Sequence, residues 1–313
     1  MIKNSWIKIK NYLEVEHYLI GASILRIGFG FHIVYSYLVH LFQRNYLWGP
    51  EGLLPLNMLN SGTKEVWSLY RFSDTMAYFN LIYFLGLFIA ILYLIGFQTR
   101  ITGLLNFIFV WSLYDRNPFT LDGGNNVLSI CLIFLIFANV GEYFSVKSKY
   151  NKIRKNKYFN ILHNFAIYAC IAQLCILYFF SGFFKAQGHM WTNGTALYYI
   201  LQVEEYTLPN LAHFIYNNPY LIVLGAYSAI ISQIAFPFLI WNKYLKWPLL
   251  VGSIGFHISI ALVMGLVQFG IAMISLDLLL IKDKEYTKMH QFYLKFKSKR
   301  KEKKKLIFNN LKL

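Results

Sequence analysis

Cysteine, acidic side chains and recognisable catalytic signatures are all scarce in this chain. Its three cysteines, Cys131, Cys170 and Cys175, lie inside apolar runs, form no C-x-x-C pair and are odd in number. That argues against a disulfide framework and a cysteine-built metal site, and leaves small buried hydrophobes. Charged residues make up 14% of the 313 positions, against about 25% in a soluble domain. The chain has no glycine-rich phosphate loop, no His-Glu-x-x-His and no G-x-S-x-G. ATP-driven, zinc-protease and serine-hydrolase chemistries therefore have no motif to stand on. No repeat of 20–50 residues is visible, and neither is a transporter-like pairing of broken helices. The N-terminal apolar run has no small-residue cleavage site behind it, so it reads as a retained first helix.

What is abundant is apolar surface: 57% of residues are hydrophobic and 19% aromatic. These residues come in runs near the roughly 20 needed to cross a bilayer. Candidate spans are 18–42, 76–97, 101–114, 126–144, 160–184, 220–241, 247–265 and 267–282, the last two also readable as one broken helix. The fold expected is an all-α polytopic membrane helical bundle of about eight transmembrane helices, with interfacial segments on the outer face. Residues 1–282 form the transmembrane domain and 283–313 a basic cytoplasmic tail. With the N-terminus inside, 24 of the 30 Lys and Arg residues fall on the cytoplasmic side and five outside. That asymmetry predicts a multi-pass membrane protein with both termini cytoplasmic. The net charge of +16 thus reflects flanks held by membrane lipid, the tail KFKSKRKEKKK above all, and no nucleic-acid partner is expected. Two outer loops are long. In 43–75, WGPEGLLPLNML is expected at the interface with Trp48, Leu53 and Leu54 at that depth. In 185–219, WTNGTALYYILQVEEYTLP is expected as a short amphipathic helix.

Ionisable residues at membrane depth are costly, so each is a candidate for function. They are Arg26, His32, His163, Lys185, His257 and Asp277, with Asp115, Arg116 and Asp122 at the end of the third span. Arg26 either pairs with Asp277 or caps carbonyls, or it contacts an anionic or quinone-like ligand. YDRNPFTLDGGNN is either a capped loop or an active-site loop, and Gly123-Gly124 let it turn tightly. His257 has Gly252 and Gly255 nearby for close helix packing. Lys185 ends an uncharged run of 24 residues. It either snorkels to headgroups or sits in an apolar pocket, where desolvation favours a neutral amine able to take a proton.

SGFFKAQGHMWTNGTALYYIL resembles a G-x-K-x-x-G-x-x-W-x-x-G-x-A segment of the HTTM family, the membrane domains related to vitamin K-dependent γ-carboxylase. LRIGFGFHIVY with WGPEGLLP, YDRNPFTLDGGNNVLS and FHISIALVMGLVQFGIAMIS resemble further family blocks, in the family's order. Length and the lack of a large soluble C-terminal domain are most like the SdpB subgroup of antimicrobial-peptide maturation proteins. The resemblance implies Lys185 and His257 as catalytic residues. It implies Arg26, Asp115, Arg116 and Trp191 around a reduced quinone (a menaquinol or vitamin K-like cofactor), and no metal. It also implies a toxin precursor peptide and an SdpA-like protein as partners. The carboxylase has a histidine near the place of Asn125 and Asn126, where this chain has none, and its glutamate-recruiting domain is missing. Glutamate carboxylation is therefore not expected, while another quinol-driven peptide modification is. Two other readings remain open: a non-enzymatic export or assembly scaffold for the toxin system, and a transporter or immunity-type receptor.

Overall fold

The computed structural model describes residues 2–62, 66–146, 156–204 and 207–310, and these contain helices but no strand. The chain opens with α1 (Ile2–Leu13) and α2 (Leu19–Val39), then the short α3 (Arg44–Trp48) and α4 (Leu56–Gly62). Next come α5 (Met76–Leu94), α6 (Thr99–Arg116), α7 (Gly123–Leu135) and the 31-residue α8 (Lys157–Gln187). Three short helices follow, α9 (His189–Thr192), α10 (Ala196–Ile200) and α11 (Pro209–Tyr216). The chain closes with α12 (Pro219–Leu239), α13 (Lys246–Val263), α14 (Val267–Leu279) and α15 (Asp283–Asn310). Most of the expected basic loop at 145–159 and part of QVEEY lie outside the described residues, as do the side chains of the tail beyond Lys301.

Every predicted span contains a helix, and the starts obey local rules. Asn156 caps α8 through Tyr158 N, and Asn218 caps α12 ahead of Pro219 at the first position, where the missing N–H of proline costs nothing. Asp122 and Asn125 form a reciprocal capping box on α7. Among the described residues five helices, α2, α5, α8, α12 and α13, are long and apolar enough to cross a membrane. α7 and α14 have 13 residues each, about 20 Å of helix against roughly 30 Å of hydrocarbon. They hold because neighbours surround them: α14 packs on α2, α7, α8 and α13, with Ala272, Met273, Leu276 and Leu279 fully buried. The last two predicted spans are thus two helices, broken at Gly265, whose φ is +67°.

Backbones approach closely at glycine. A Cβ on Gly30 of α2 would lie 2.8 Å from Leu94 Cα of α5, and one on Gly182 of α8 would lie 2.8 Å from Ile234 N of α12. Gly124 does the same against Phe269 Cα, also at 2.8 Å; its purpose is close packing at a helix start, not a turn. Gly252 and Gly255 correct the expectation in the other direction, since a Cβ on either meets nothing within 4 Å. No neighbouring helix approaches either of them closely.

The segment after α2 folds down on the bundle instead of lying flat. Trp48 is 3% exposed, with its ring edge-on to His40 at 5.3 Å and tilted on Tyr83 at 6.3 Å. Its large apolar area is better buried against helices than at an interface. Leu53 alone of the three named residues is well exposed. The predicted amphipathic helix after Lys185 is likewise three short helices, turned at Gly194 (φ +73°).

Candidate functional site

Residues three and four apart share a helix face, and Tyr178, Ser181 and Lys185 fall on one face of α8. Lys185 Nζ folds back to donate to Ser181 Oγ at 2.7 Å and lies 5.2 Å from the centre of the Trp191 ring. The chain leaves α8 at Gly188, whose N–H reaches the Lys185 carbonyl at 3.0 Å, and this places α9 and its tryptophan beside the amine. Tyr227 of α12 pins that corner by donating to the Thr192 carbonyl at 2.7 Å. Among the described residues no carboxylate pairs with Lys185.

The amine borders a cavity of about 490 Å³ between α8, α10, α12, α13 and α14. Lys185, Trp191, Tyr178 and His257 all line it, within walls built mostly of Leu, Ile, Met and Phe side chains. Sites for small organic molecules typically measure about 300–1,000 Å³ and have this mostly apolar character.

At the His257 end, three helices converge on one hydroxyl. Tyr178 of α8 has its hydroxyl 2.8 Å from His257 Nε2 of α13 and 3.2 Å from Asp277 Oδ1 of α14. It also touches Ser253 Oγ, and Ser253 in turn donates to Asp277 Oδ2. The Tyr178 ring is stacked on Phe236 at 3.9 Å, which fixes its direction. His257 is 1% exposed and its Nδ1 is buried with no partner. Buried polar atoms are nearly always paired, so an orphan invites an explanation.

The other sequence candidates go elsewhere. Among the described residues Arg26 meets no carboxylate. It donates to the carbonyls of Val140 (3.0 Å), Tyr93 (2.9 Å), Leu94 and Phe144 (2.7 Å), which ties α2 to the end of α5 and to the segment that follows α7. Asp115 holds Arg71 by two bonds at 2.9 and 3.0 Å. Arg116 donates to the Leu54 and Gly49 carbonyls, each at 2.6 Å. These two pin the segments on either side of α4 onto α6, so YDRNPFTLDGGNN is a structural clasp, and neither residue lines the cavity. Of the six residues singled out for the site, Lys185, His257 and Trp191 come together, while Arg26, Asp115 and Arg116 do not.

His32 and His163 are both fully buried. The Asn139 N–H donates to His163 Nδ1, so its Nε2 carries the hydrogen and gives it to the His17 carbonyl at 2.8 Å. His32 Nδ1 faces the Gln268 carbonyl at 3.0 Å, which leaves Nε2 to accept from Asn125 at 3.4 Å. Asn125 also reaches the Tyr114 hydroxyl at 2.6 Å. Sequence reasoning missed Tyr178 and Ser253. Their signal was their spacing, two turns before Lys185 and one turn before His257.

Two curated relatives are similar to this chain. Sporulation-delaying protein SdpB of Bacillus subtilis (strain 168) is 28% identical over 208 residues, covering 63% of this chain and 62% of its own length. The chain is similar to SdpB over part of its length. The uncharacterized protein YitO of the same strain is 25% identical over 203 residues, covering 62% of this chain and 64% of its own length. The match thus spans less than two thirds of either relative. No protein-family model matches the chain, and no solved structure does.

The cavity offers a cation over an aromatic ring at one end, a buried imidazole at the other, and apolar walls between.

Proposed function

We propose that this SdpB-like bacterial membrane protein matures a secreted antimicrobial (toxin) peptide by quinol-dependent chemistry, with Lys185 as the base at the outer face. The observation that carries the reading is that Lys185 and His257, 72 positions apart in the chain, line one apolar cavity. When bound, a menaquinol or vitamin K-like hydroquinone supplies reducing equivalents and two ionisable hydroxyls. Lys185 takes a proton from the nearer hydroxyl, and its amine stays oriented by Ser181 and Trp191. The short helices α9 and α10 shield the amine from water, which favours proton transfer to a neutral lysine. The toxin precursor peptide and an SdpA-like protein are the partners in this scheme.

Mass spectrometry of the peptide encoded with the protein tests it, in cells carrying wild-type or Lys185→Ala protein at matched membrane abundance. The expected result is a defined mass difference between the two peptides and loss of toxin activity with Lys185→Ala. Mature, active peptide from Lys185→Ala cells would overturn the lysine chemistry and leave a scaffold for export or assembly.

A further inference from the structure

α12 packs chiefly on α8, and α13 chiefly on α14, so these consecutive spans touch each other little. The gap between them holds a second cavity, of about 270 Å³, with Tyr178 and Phe236 on its buried side. At its mouth stand Ser228 and Ser232 of α12 and Gly252 of α13, all exposed. Both helices are long and apolar enough to span the membrane, and these three residues lie well inside them. The mouth therefore opens on hydrocarbon and not on water. A Cβ on Gly252 meets nothing within 4 Å, which is a measure of how open the gap is. The Ser228 and Ser232 hydroxyls are engaged on their own helix, donating to the Gly225 carbonyl at 3.1 Å and the Ala229 carbonyl at 3.4 Å. Such walls present small side chains with their polar atoms already satisfied, which suits a hydrocarbon chain.

This cavity adjoins the one at Lys185. Tyr178, Ser228, Gln233 and Phe256 line both. Tyr178 lies seven residues along α8 from Lys185, about 10 Å of helix. The two spaces thus run inward from the amine by about a third of the hydrocarbon thickness, and then sideways to the lipid. A ligand lying along them has its head beside Lys185 and Trp191 and its other end among lipid chains. That is the posture of a membrane amphiphile. A small soluble molecule would need the first cavity alone.

We propose that the gap between α12 and α13 admits, and then holds, the hydrocarbon tail of a membrane-resident amphiphile whose head occupies the cavity at Lys185. This deepens the quinol reading above and rests on it for the identity of the head. The quinol is then one dissolved in the bilayer, which enters sideways and leaves its tail trailing past Phe256 to the lipid. Gly252 and Ser232 set the width of the entrance and touch only the tail.

The test puts a tryptophan into the mouth from either wall, Gly252→Trp or Ser232→Trp, in the full chain in lipid nanodiscs. Gly252 has no neighbour that a Cβ would meet and Ser232 is exposed, so the fold has room for each ring. Anaerobic binding is measured for menadiol, which has no tail, and for menaquinol-4, which has the same head and a four-isoprene tail. Each variant is expected to weaken menaquinol-4 about tenfold, equivalent to losing about two buried methylene groups. Menadiol should stay within about twofold of wild type. Menaquinol-4 binding that neither tryptophan weakens, or menadiol weakened as much, overturns the proposal. A fatty alcohol carrying a mid-chain diazirine gives a readout that needs no quinol. In wild type it should label Phe256, half-buried beside both cavities, and Val251, which is 67% exposed on the same helix. Either tryptophan should remove the label from Phe256 and leave it on Val251. Phe256 that is unlabelled in wild type, or labelled regardless of the tryptophans, also overturns the proposal. If neither quinol binds the wild type, the quinol reading fails, and the Phe256 label alone decides whether a chain enters the gap.

Discussion

Arg26→Met separates a structural arginine from a ligand contact. The guanidinium is fully buried and satisfies four carbonyls, with distances of 2.7–3.0 Å to Phe144, Tyr93 and Val140 and one more bond to Leu94. A hydrogen bond to a charged group contributes about 1.5–3 kcal/mol. The four share one side chain, so their loss is less than additive. Methionine fills much of the volume but offers no hydrogen, and the carbonyls at the end of α5 and in the segment after α7 are left bare. The expected destabilisation is about 4 kcal/mol, read by reversible unfolding in mixed micelles. Menadiol binding by the folded fraction should equal that of wild type, because Arg26 does not line the cavity. A loss below about 1 kcal/mol would refute the argument. A variant of normal stability that no longer bound menadiol would return Arg26 to the ligand.

Gly30→Ala brings a Cβ to 2.8 Å from Leu94 Cα; backbone cannot move aside cheaply, so a loss of about 1–3 kcal/mol is expected in the same unfolding assay. Gly255→Ala has nothing within 4 Å and gains helix propensity, so it should be neutral or stabilising by up to about 1 kcal/mol. Glu285 of α15 pairs with Lys246 of α13. Burial alone would raise its carboxyl, but the bonds from Lys246 and the Lys282 N–H, with both positive charges, hold it below the usual 4.5. Its contribution is therefore complete above about pH 4.5 and is lost as pH falls through the lower folded value. Hydrogen exchange over 283–300 should quicken in that acid range for wild type and show no such step in Glu285→Gln. The partly exposed pair limits the effect to under about 1 kcal/mol.

The two halves of the site differed in how readable they were. Lys185 was legible because it ends a long uncharged helix, where a charge has to be explained, and His257 because it interrupts an apolar one. Tyr178 and Ser253 were encoded in the same local way, one or two turns from those residues, but tyrosine and serine are cheap in a membrane helix and attract no notice alone. Arg26, Asp115 and Arg116 looked alike in sequence, each a charge near membrane depth. They parted only when the bundle supplied backbone carbonyls to the two arginines and Arg71 to the aspartate. Trp48 read as interfacial from its punctuated neighbourhood, and packing on His40 and Tyr83 buried it instead.

The sequence by itself determined the helices, the membrane class and the isolated charges within apolar runs. Each of these follows from apolar length, capping residues and charge within a few turns of chain. Tertiary structure decided which polar group answers which. Tyr178 meets His257 and Asp277 across 79 and 99 positions, and Arg26 meets Phe144 across 118. A hydrogen bond acts only within about 3 Å, and only the packing of α8 and α13 around the short α14 brings those groups to that distance.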